Sequence, residues 1–261
     1  PERIAAEEIL SLLNATGATE IVNFSQGQLS LILIKIQANS PYANKTIAEI
    51  NAINPELIFR CVAVLRSDKT IMPKDSDIIL PHDLVYMVVK IKEIDKAIED
   101  AGIKKFSVKN VMIIGGGRIG VKTAQRIENK MNVKLFEIDK QRARRLANTL
   151  ENTLVVNADC RDIDSLEEEE IGQMDAFVAL TNYSETNIIA CLIAKRYGIK
   201  RVIALVDNVE FIGIAQNVDI DTTINRKLIT ASHIAKYTME AKAASVTYLQ
   251  GIDADVMELV A

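Results

Sequence analysis

One stretch constrains the fold more than any other. The apolar run Asn110-Val-Met-Ile-Ile114 passes directly into Gly115-Gly116-Gly117-Arg118-Ile119-Gly120, and helical spacing follows from Ile119 to Met131. A strand, a glycine turn and a helix in that order open a βαβ unit. Gly115 permits the tight turn, Gly117 lets the backbone approach a pyrophosphate, and Gly120 lets the helix pack close to the strand. The first helical turn offers free N–H groups and a partial positive charge to phosphates. A second strand, Val133 to Glu137, leads into two acids, Glu137 and Asp139, which lie 22 and 24 residues beyond Gly115. A carboxylate there accepts hydrogen bonds from adenosine ribose hydroxyls and repels a 2′-phosphate, which favours NAD(H) over NADP(H).

The alternation continues. Lys140 to Leu150 reads as a helix, Leu154 to Val156 as a strand, and the acidic stretch Asp162 to Ile171 as a helix. Ala176 to Leu180 is the fourth strand. Thr181, Asn182 or Ser184 caps the helix after it, which runs to Tyr197 and stops at Gly198. Arg201 to Val206 and Thr222 to Ile224 complete six strands. Repeated units of this kind predict an α/β fold: a Rossmann-like, doubly wound parallel sheet with helices on both faces. Before Lys109 the pattern differs. Leu29 to Ile36, Phe59 to Leu65, Thr70 to Met72 and Leu84 to Val89 read as strands, with one short helix around Thr46 to Asn51 and a tight connection at Ser67-Asp68-Lys69. The expected organisation is a small α+β domain over residues 15–92, a linker over 93–108 whose Glu93 to Gly102 reads as a polar helix or linker, and the nucleotide-type domain over 109–240.

Composition excludes several function classes. The 261 residues carry 31 Lys and Arg against 35 Asp and Glu, a net charge of −4, which argues against a dedicated nucleic-acid binder. No apolar run approaches the roughly 18–20 residues of a membrane-spanning helix. Cys61, Cys160 and Cys191 are scattered and odd in number, and read as reduced cytosolic thiols rather than a disulfide framework or zinc site. The chain opens at Pro1 without a charged leader or cleavage site, so no secretory signal is expected.

Catalytic signatures are also missing. There is no Tyr-x-x-x-Lys pair, no His-Asp or Cys-His constellation and no P-loop, and neither His82 nor His233 has an evident role. A dehydrogenase needs an acid or base near the nicotinamide, so the site reads as one that binds and does not react, with an NAD-dependent oxidoreductase as the alternative. Other candidates follow from the strand ends. Arg118 can fork onto phosphate oxygens. Asp159 and Cys160 end the third strand beside the adenine position, although Asp159 equally suits a helix cap. Thr181-Asn182 and Glu185-Thr186-Asn187 close the fourth strand at the carboxyl edge, where open α/β sheets bind ligands. Cys191 fits a buried helix position, and Glu167 to Glu170 a solvated helix face.

The chain also echoes itself. Val22-Asn-Phe24 with Gln26-Gly27 resembles Val246-Thr-Tyr248 with Gln250-Gly251, 224 residues on. Ile4-Ala-Ala6 and Ile9 resemble Ile229-Thr-Ala231 and Ile234 at 225. Such an echo predicts a repeat of about 225 residues, with the chain as a central window on it.

The stretch from VMIIGGGRIG through KLFEIDKQRARRL, LVVNAD and AFVALTNYSETNIIACLIAKRYGIKRVIALV resembles the RCK-type nucleotide-binding domain, the TrkA N-terminal domain. Ser40-Pro41, Asn44-Lys45-Thr46 and Asp83 before Leu84-Val85-Tyr86 resemble the companion TrkA C-terminal domain, with His82 where the family more often has glycine. The resemblance implies that 1–14 is the tail of a preceding nucleotide domain and 241–261 the start of a second small domain. It implies a regulatory subunit without chemistry of its own, cytoplasmic and peripheral to the inner face of the membrane. The expected ligand is NAD or NADH, or ATP or ADP. The expected contacts are Gly115, Gly116, Gly117, Arg118, Ile119, Gly120, Glu137, Ile138, Asp159, Cys160, Thr181 and Asn182. The implied partners are a potassium-conducting membrane subunit and further copies of the chain in a dimer or ring. In such an assembly Arg118 would sense a γ-phosphate.

Overall fold

The structure, a computed structural model, describes residues 2–14, 17–24, 28–66, 69–104, 106–218, 220–238, 243–248 and 255–259. Ser67-Asp68, Gln26-Gly27 and Gln250-Gly251, as well as the His233 side chain, lie outside what is described. The chain divides into two compact units, one of residues 1–14 with 107–230, the other of 15–106 with 231–261.

The first unit is built on six parallel strands: β8 (Asn110–Ile114), β9 (Asn132–Phe136), β10 (Thr153–Val156), β11 (Ala176–Ala179), β12 (Arg201–Leu205) and β13 (Thr222–Ile224). Their order across the sheet is β10-β9-β8-β11-β12-β13, the doubly wound arrangement expected from the alternation. β11 and β12 are buried along their whole length, as strands covered on both faces must be. The connecting helices are α4 (Arg118–Ile127), α5 (Lys140–Ala147), α6 (Ile163–Glu168), α7 (Ser184–Arg196) and α8 (Glu210–Asn217). Phe136, Phe177, Leu166, Ala194 and Val202 lie in one core beneath them. α1 (Glu2–Asn14) buries Ala5, Ala6, Ile9, Leu12 and Leu13 and packs along α4. Gly198, at φ +80°, ends α7 in a Schellman pattern: its N–H donates to Lys195 O and that of Ile199 to Ala194 O.

In the second unit β1 (Glu20–Phe24), β2 (Leu29–Lys35), β4 (Phe59–Arg66), β5 (Lys69–Ile71) and β7 (Leu84–Lys90) form an antiparallel sheet ordered β1-β2-β7-β4-β5. β3 (Lys45–Thr46) and β6 (Ile78–Ile79) make a separate ladder. α2 (Ile47–Ile53) starts with a capping box between Thr46 and Glu49. His82, at φ +70°, turns the chain so that Asp83, almost fully buried, accepts from Nε and Nη2 of Arg66 and from the Leu80 N–H. Ser40 Oγ donates to Ala101 O, and Tyr86 Oη to the buried Glu20 carboxylate.

Three expectations need correction. The 93–108 stretch, expected to join the two domains as a polar helix or linker, holds α3 (Ile94–Asp100), which buries Ile94, Ala97 and Ile98 in the small unit's core and so belongs to that unit. The acidic helix is shorter than its composition suggests, because Glu170 takes a left-handed conformation, φ +57°, after α6. No side chain caps α7: Tyr183 is its N-cap residue, and Thr181 Oγ1 accepts from the Tyr183 N–H instead.

At the end of the chain α9 (Arg226–Thr238) is followed by β14 (Ala243–Tyr248) and β15 (Asp255–Leu259), an antiparallel hairpin. α9 and α1 are both 13 residues long and start 224 residues apart, at 226 and 2. β1–β2 and β14–β15 are the hairpins that follow them.

Candidate functional site

The strand order reverses between β8 and β11, and a cleft of about 480 Å³ opens there at the carboxyl ends of the strands. This is the crevice in which doubly wound sheets bind ligands, and its size falls in the usual range for small-molecule sites.

The glycine loop forms the floor. Gly115 has φ +102°, a conformation side chains rarely adopt, and its N–H donates to Phe136 O. A Cβ on Gly120 would lie 2.0 Å from Gly115 O, so the helix approaches the strand only because Gly120 has none. A Cβ on Gly116 would stand 2.4 Å from Leu146 Cδ1 and 2.8 Å from Glu137 Oε2. Gly117 differs. It caps α4 without a side-chain hydrogen bond and has nothing within 4 Å of a would-be Cβ, which leaves open space over the helix N-terminus.

Glu137 stands at the end of β9 with its side chain only 5% exposed. Oε2 accepts from the Gly116 N–H at 3.1 Å, Oε1 from the Asp139 N–H at 2.8 Å, and Arg142 Nη1 lies 3.5 Å from Oε2. The structure thereby separates the two acids at this strand end: Asp139 caps α5 by accepting from the Arg142 N–H, and only Glu137 lines the cleft. Asn157 Nδ2 donates to the carbonyls of Glu137 and Ile138 and pins this strand end.

On the β10 side Asp159 does not cap α6, whose N-cap residue is Asp162. Asp159 is clasped by Arg161, with Nε and Nη2 on its two oxygens, and this guanidinium holds its carboxyl below the usual range. Beside it, burial pushes the Cys160 thiol up to about 11, so it is a neutral wall group and not a nucleophile. On the β11 side Thr181 Oγ1 donates to Asn187 Oδ1 at 2.7 Å. Asn187, fully buried on α7, donates in turn to the carbonyls of Thr181 and Leu205.

The cleft therefore brings together Gly115, Gly116, Gly117, Glu137, Ile138, Asp159, Cys160, Thr181 and Asn182. Arg118, Ile119 and Gly120 do not line it. Ile119 is buried in the core, Gly120 faces Gly115, and Arg118, 86% exposed, pairs with Glu2 at 3.3 Å. Glu185 is outside as well. Sequence reasoning missed Arg142, Arg161 and Tyr183 on the walls. Only the nearness of Arg142 and Arg161 to Glu137 and Asp159 in the chain could have pointed to them.

Residues 111–226 match the TrkA-N domain and residues 31–102 the TrkA-C domain. The chain holds a TrkA-N domain and a TrkA-C domain. Its TrkA-N domain holds the cleft and its TrkA-C domain the antiparallel sheet. The chain is similar to the Trk system potassium uptake protein TrkA of Vibrio alginolyticus, 32% identical over all of this chain and 57% of that protein. With the TrkA of Haemophilus influenzae the identity is 30% over the same shares. The chain thus spans somewhat over half the length of these relatives. Among solved structures, the GsuK RCK domain has the same fold over 94% of this chain and 54% of that one, with a TM-score of 0.60 at 18% identity. The GsuK channel bound to NAD aligns over 90% of this chain and 42% of that one, with a TM-score of 0.59 at 18% identity.

Proposed function

We propose that this chain is a nucleotide-sensing regulatory part of a potassium uptake system. It binds NAD(H), or ATP or ADP, in the cleft between β8 and β11, and passes the state of that cleft to a potassium-conducting membrane subunit. The observation that carries the reading is the buried Glu137 carboxylate hydrogen-bonded to the glycine loop at the switch point of the sheet. Open space over Gly117 gives phosphates a way to the helix N-terminus, where backbone N–H groups and the helix dipole favour an anion. Glu137 would take the ribose hydroxyls, Ile138 and Cys160 would flank the base, and Thr181 and Asn182 would line the inner wall. Arg118, one residue beyond the cleft, can swing to a terminal phosphate. The relatives' name and the NAD held by the GsuK channel support the same reading.

The nucleotide is a signal in this scheme. Glu137, Asp159 and Cys160 stand at the ribose and base end of the cleft, where the carboxylates accept from donors of the protein and the thiol stays protonated, so none of the three serves as the acid or base that hydride chemistry needs beside a nicotinamide. A signal moves an assembly only by its difference in affinity for two states, so the chain acts in a dimer or ring whose geometry the nucleotide biases. The working location is the cytoplasmic face of the membrane; no helix among the described residues is long and apolar enough to cross one. α1 and α9 are equivalent parts of two repeats, with 1–14 the tail of one nucleotide domain and 241–261 the start of another small domain.

Calorimetric titration with NADH, NAD, ATP, ADP and NADPH, wild type beside Glu137→Ala, tests the cleft. Binding of an unphosphorylated-ribose nucleotide, weakened at least tenfold by the substitution, is the expected result. Equal affinity of wild type and variant sinks the reading. Potassium flux through vesicles that hold the membrane subunit, with and without the chain and its nucleotide, tests the regulatory step.

A further inference from the structure

Glu2 is ion-paired with Arg118, the residue that directly follows Gly117 of the glycine loop. α1 packs along α4 and brings two acids onto two arginines of that helix: Glu2 to Arg118 and Glu7 to Arg126, both at 3.3 Å. The two pairs are not equivalent. Arg126 stands in the last turn of α4, whereas Arg118 is its first residue and directly follows the open Gly117. A backbone hydrogen bond and then the Arg118 guanidinium hold the Glu2 carboxyl below its usual range, so it is charged at neutral pH. Arg226, clasped by Asp207, also feels the Glu2 charge. Glu2 is thus a tethered carboxylate at the N-terminal end of α4, on the guanidinium next to the glycine loop.

We infer that Glu2 sets the specificity of the nucleotide cleft: it occupies Arg118 as a built-in anion that a ligand's additional terminal phosphate must displace. The inference rests on the nucleotide reading above. A phosphate offers the guanidinium a forked, more highly charged partner than a carboxylate. A nucleoside triphosphate long enough to reach Arg118 therefore exchanges one anion for another. A dinucleotide, whose pyrophosphate stays on the glycine loop, leaves Glu2 in place. The exchange frees the first turn of α1 only when the extra phosphate is present, so two ligands of one cleft leave different structures behind.

The test is calorimetric titration of the full chain with ATP and with NADH, for wild type, Glu2→Gln, Arg118→Gln and the double variant. Glu2→Gln should tighten ATP about two- to five-fold, the range of an exposed ion pair, and leave NADH unchanged. That gain should vanish in the Arg118→Gln background, as a double-mutant cycle requires of a direct pair. Glu7→Gln, which opens the other contact between the same helices, should leave both affinities unchanged and so controls for loosening of α1. Equal shifts for ATP and NADH, no shift for ATP, or a gain that survives without Arg118 each overturn the inference. If wild type binds neither nucleotide, the cleft reading itself fails. If it binds ATP and Glu2→Gln does nothing, only the role of Glu2 fails.

Discussion

Glu137 Oε2 sits 3.1 Å from the Gly116 nitrogen, and the same oxygen would lie 2.8 Å from a Cβ at position 116. The acid at the end of the second strand therefore fixes the loop at the end of the first. Gly116→Ala should drive the new methyl into Leu146 Cδ1 and Glu137, costing about 1–3 kcal/mol of stability as overpacking does. It should also weaken nucleotide binding by displacing the carboxylate. Chemical denaturation and titration of the same sample read both.

Gly117→Ala should separate binding from folding. Its φ is −73° and nothing stands within 4 Å of the added methyl, so stability should change by less than about 0.5–1 kcal/mol. The methyl occupies the phosphate approach, and affinity should fall at least tenfold. An alanine variant that binds as tightly as wild type would remove Gly117 from the phosphate site.

Gly120→Ala should do the reverse. The methyl would meet Gly115 O at 2.0 Å, backbone against backbone, so α4 must shift from β8. A lowered melting temperature is expected without any ligand present.

Asn187→Ala should strip four tethers at once: the Thr181 N–H, the Thr181 hydroxyl, the Thr181 carbonyl and the Leu205 carbonyl. Because the site is fully buried, partners left unsatisfied should cost about 1–3 kcal/mol. Amide exchange around 181–183 should rise with it.

Alkaline pH should destabilise the fold through its thiols. Burial pushes Cys61 up to about 12, Cys160 up to about 11, and Cys191 higher still. A raised acid binds its proton longer in the native state than in the unfolded chain. The stabilisation is complete below the unfolded thiol value of about 8.5 and is lost as pH rises toward the folded values. Melting temperature should be flat in this respect from pH 6 to 8 and should fall above pH 9. Cys191→Ala should flatten part of that fall.

His82 shows how a resemblance acquires its physical reason. The resemblance implies glycine at this position more often than histidine, and the structure places His82 at φ +70°, in the left-handed region. The turn it makes lets Asp83 reach Arg66 and the Leu80 N–H. A side chain is tolerated at that angle, at a cost of about 1–2 kcal/mol relative to right-handed backbone.

Most of the doubly wound sheet was legible because its signals are local. A strand five residues long, a glycine that must turn, a glycine that must leave room and an acid at the next strand end all declare themselves within a few residues. The tertiary structure decided everything that depends on a partner distant in the chain. Glu2 meets Arg118 across 116 residues, Asn187 holds Leu205 from the next strand, and Lys109 finds Asp175. Glu93 to Gly102 reads in sequence as a polar helix or a linker because Asp95, Lys96, Glu99 and Asp100 make up most of α3, while Ile94, Ala97 and Ile98, buried in the small unit's core, show it to be part of that unit. Periodicity in so short a helix is weak until a core exists to receive it. Backbone constraints are written in residue type. Pairing of charges and choice of face follow from which surfaces the fold brings together.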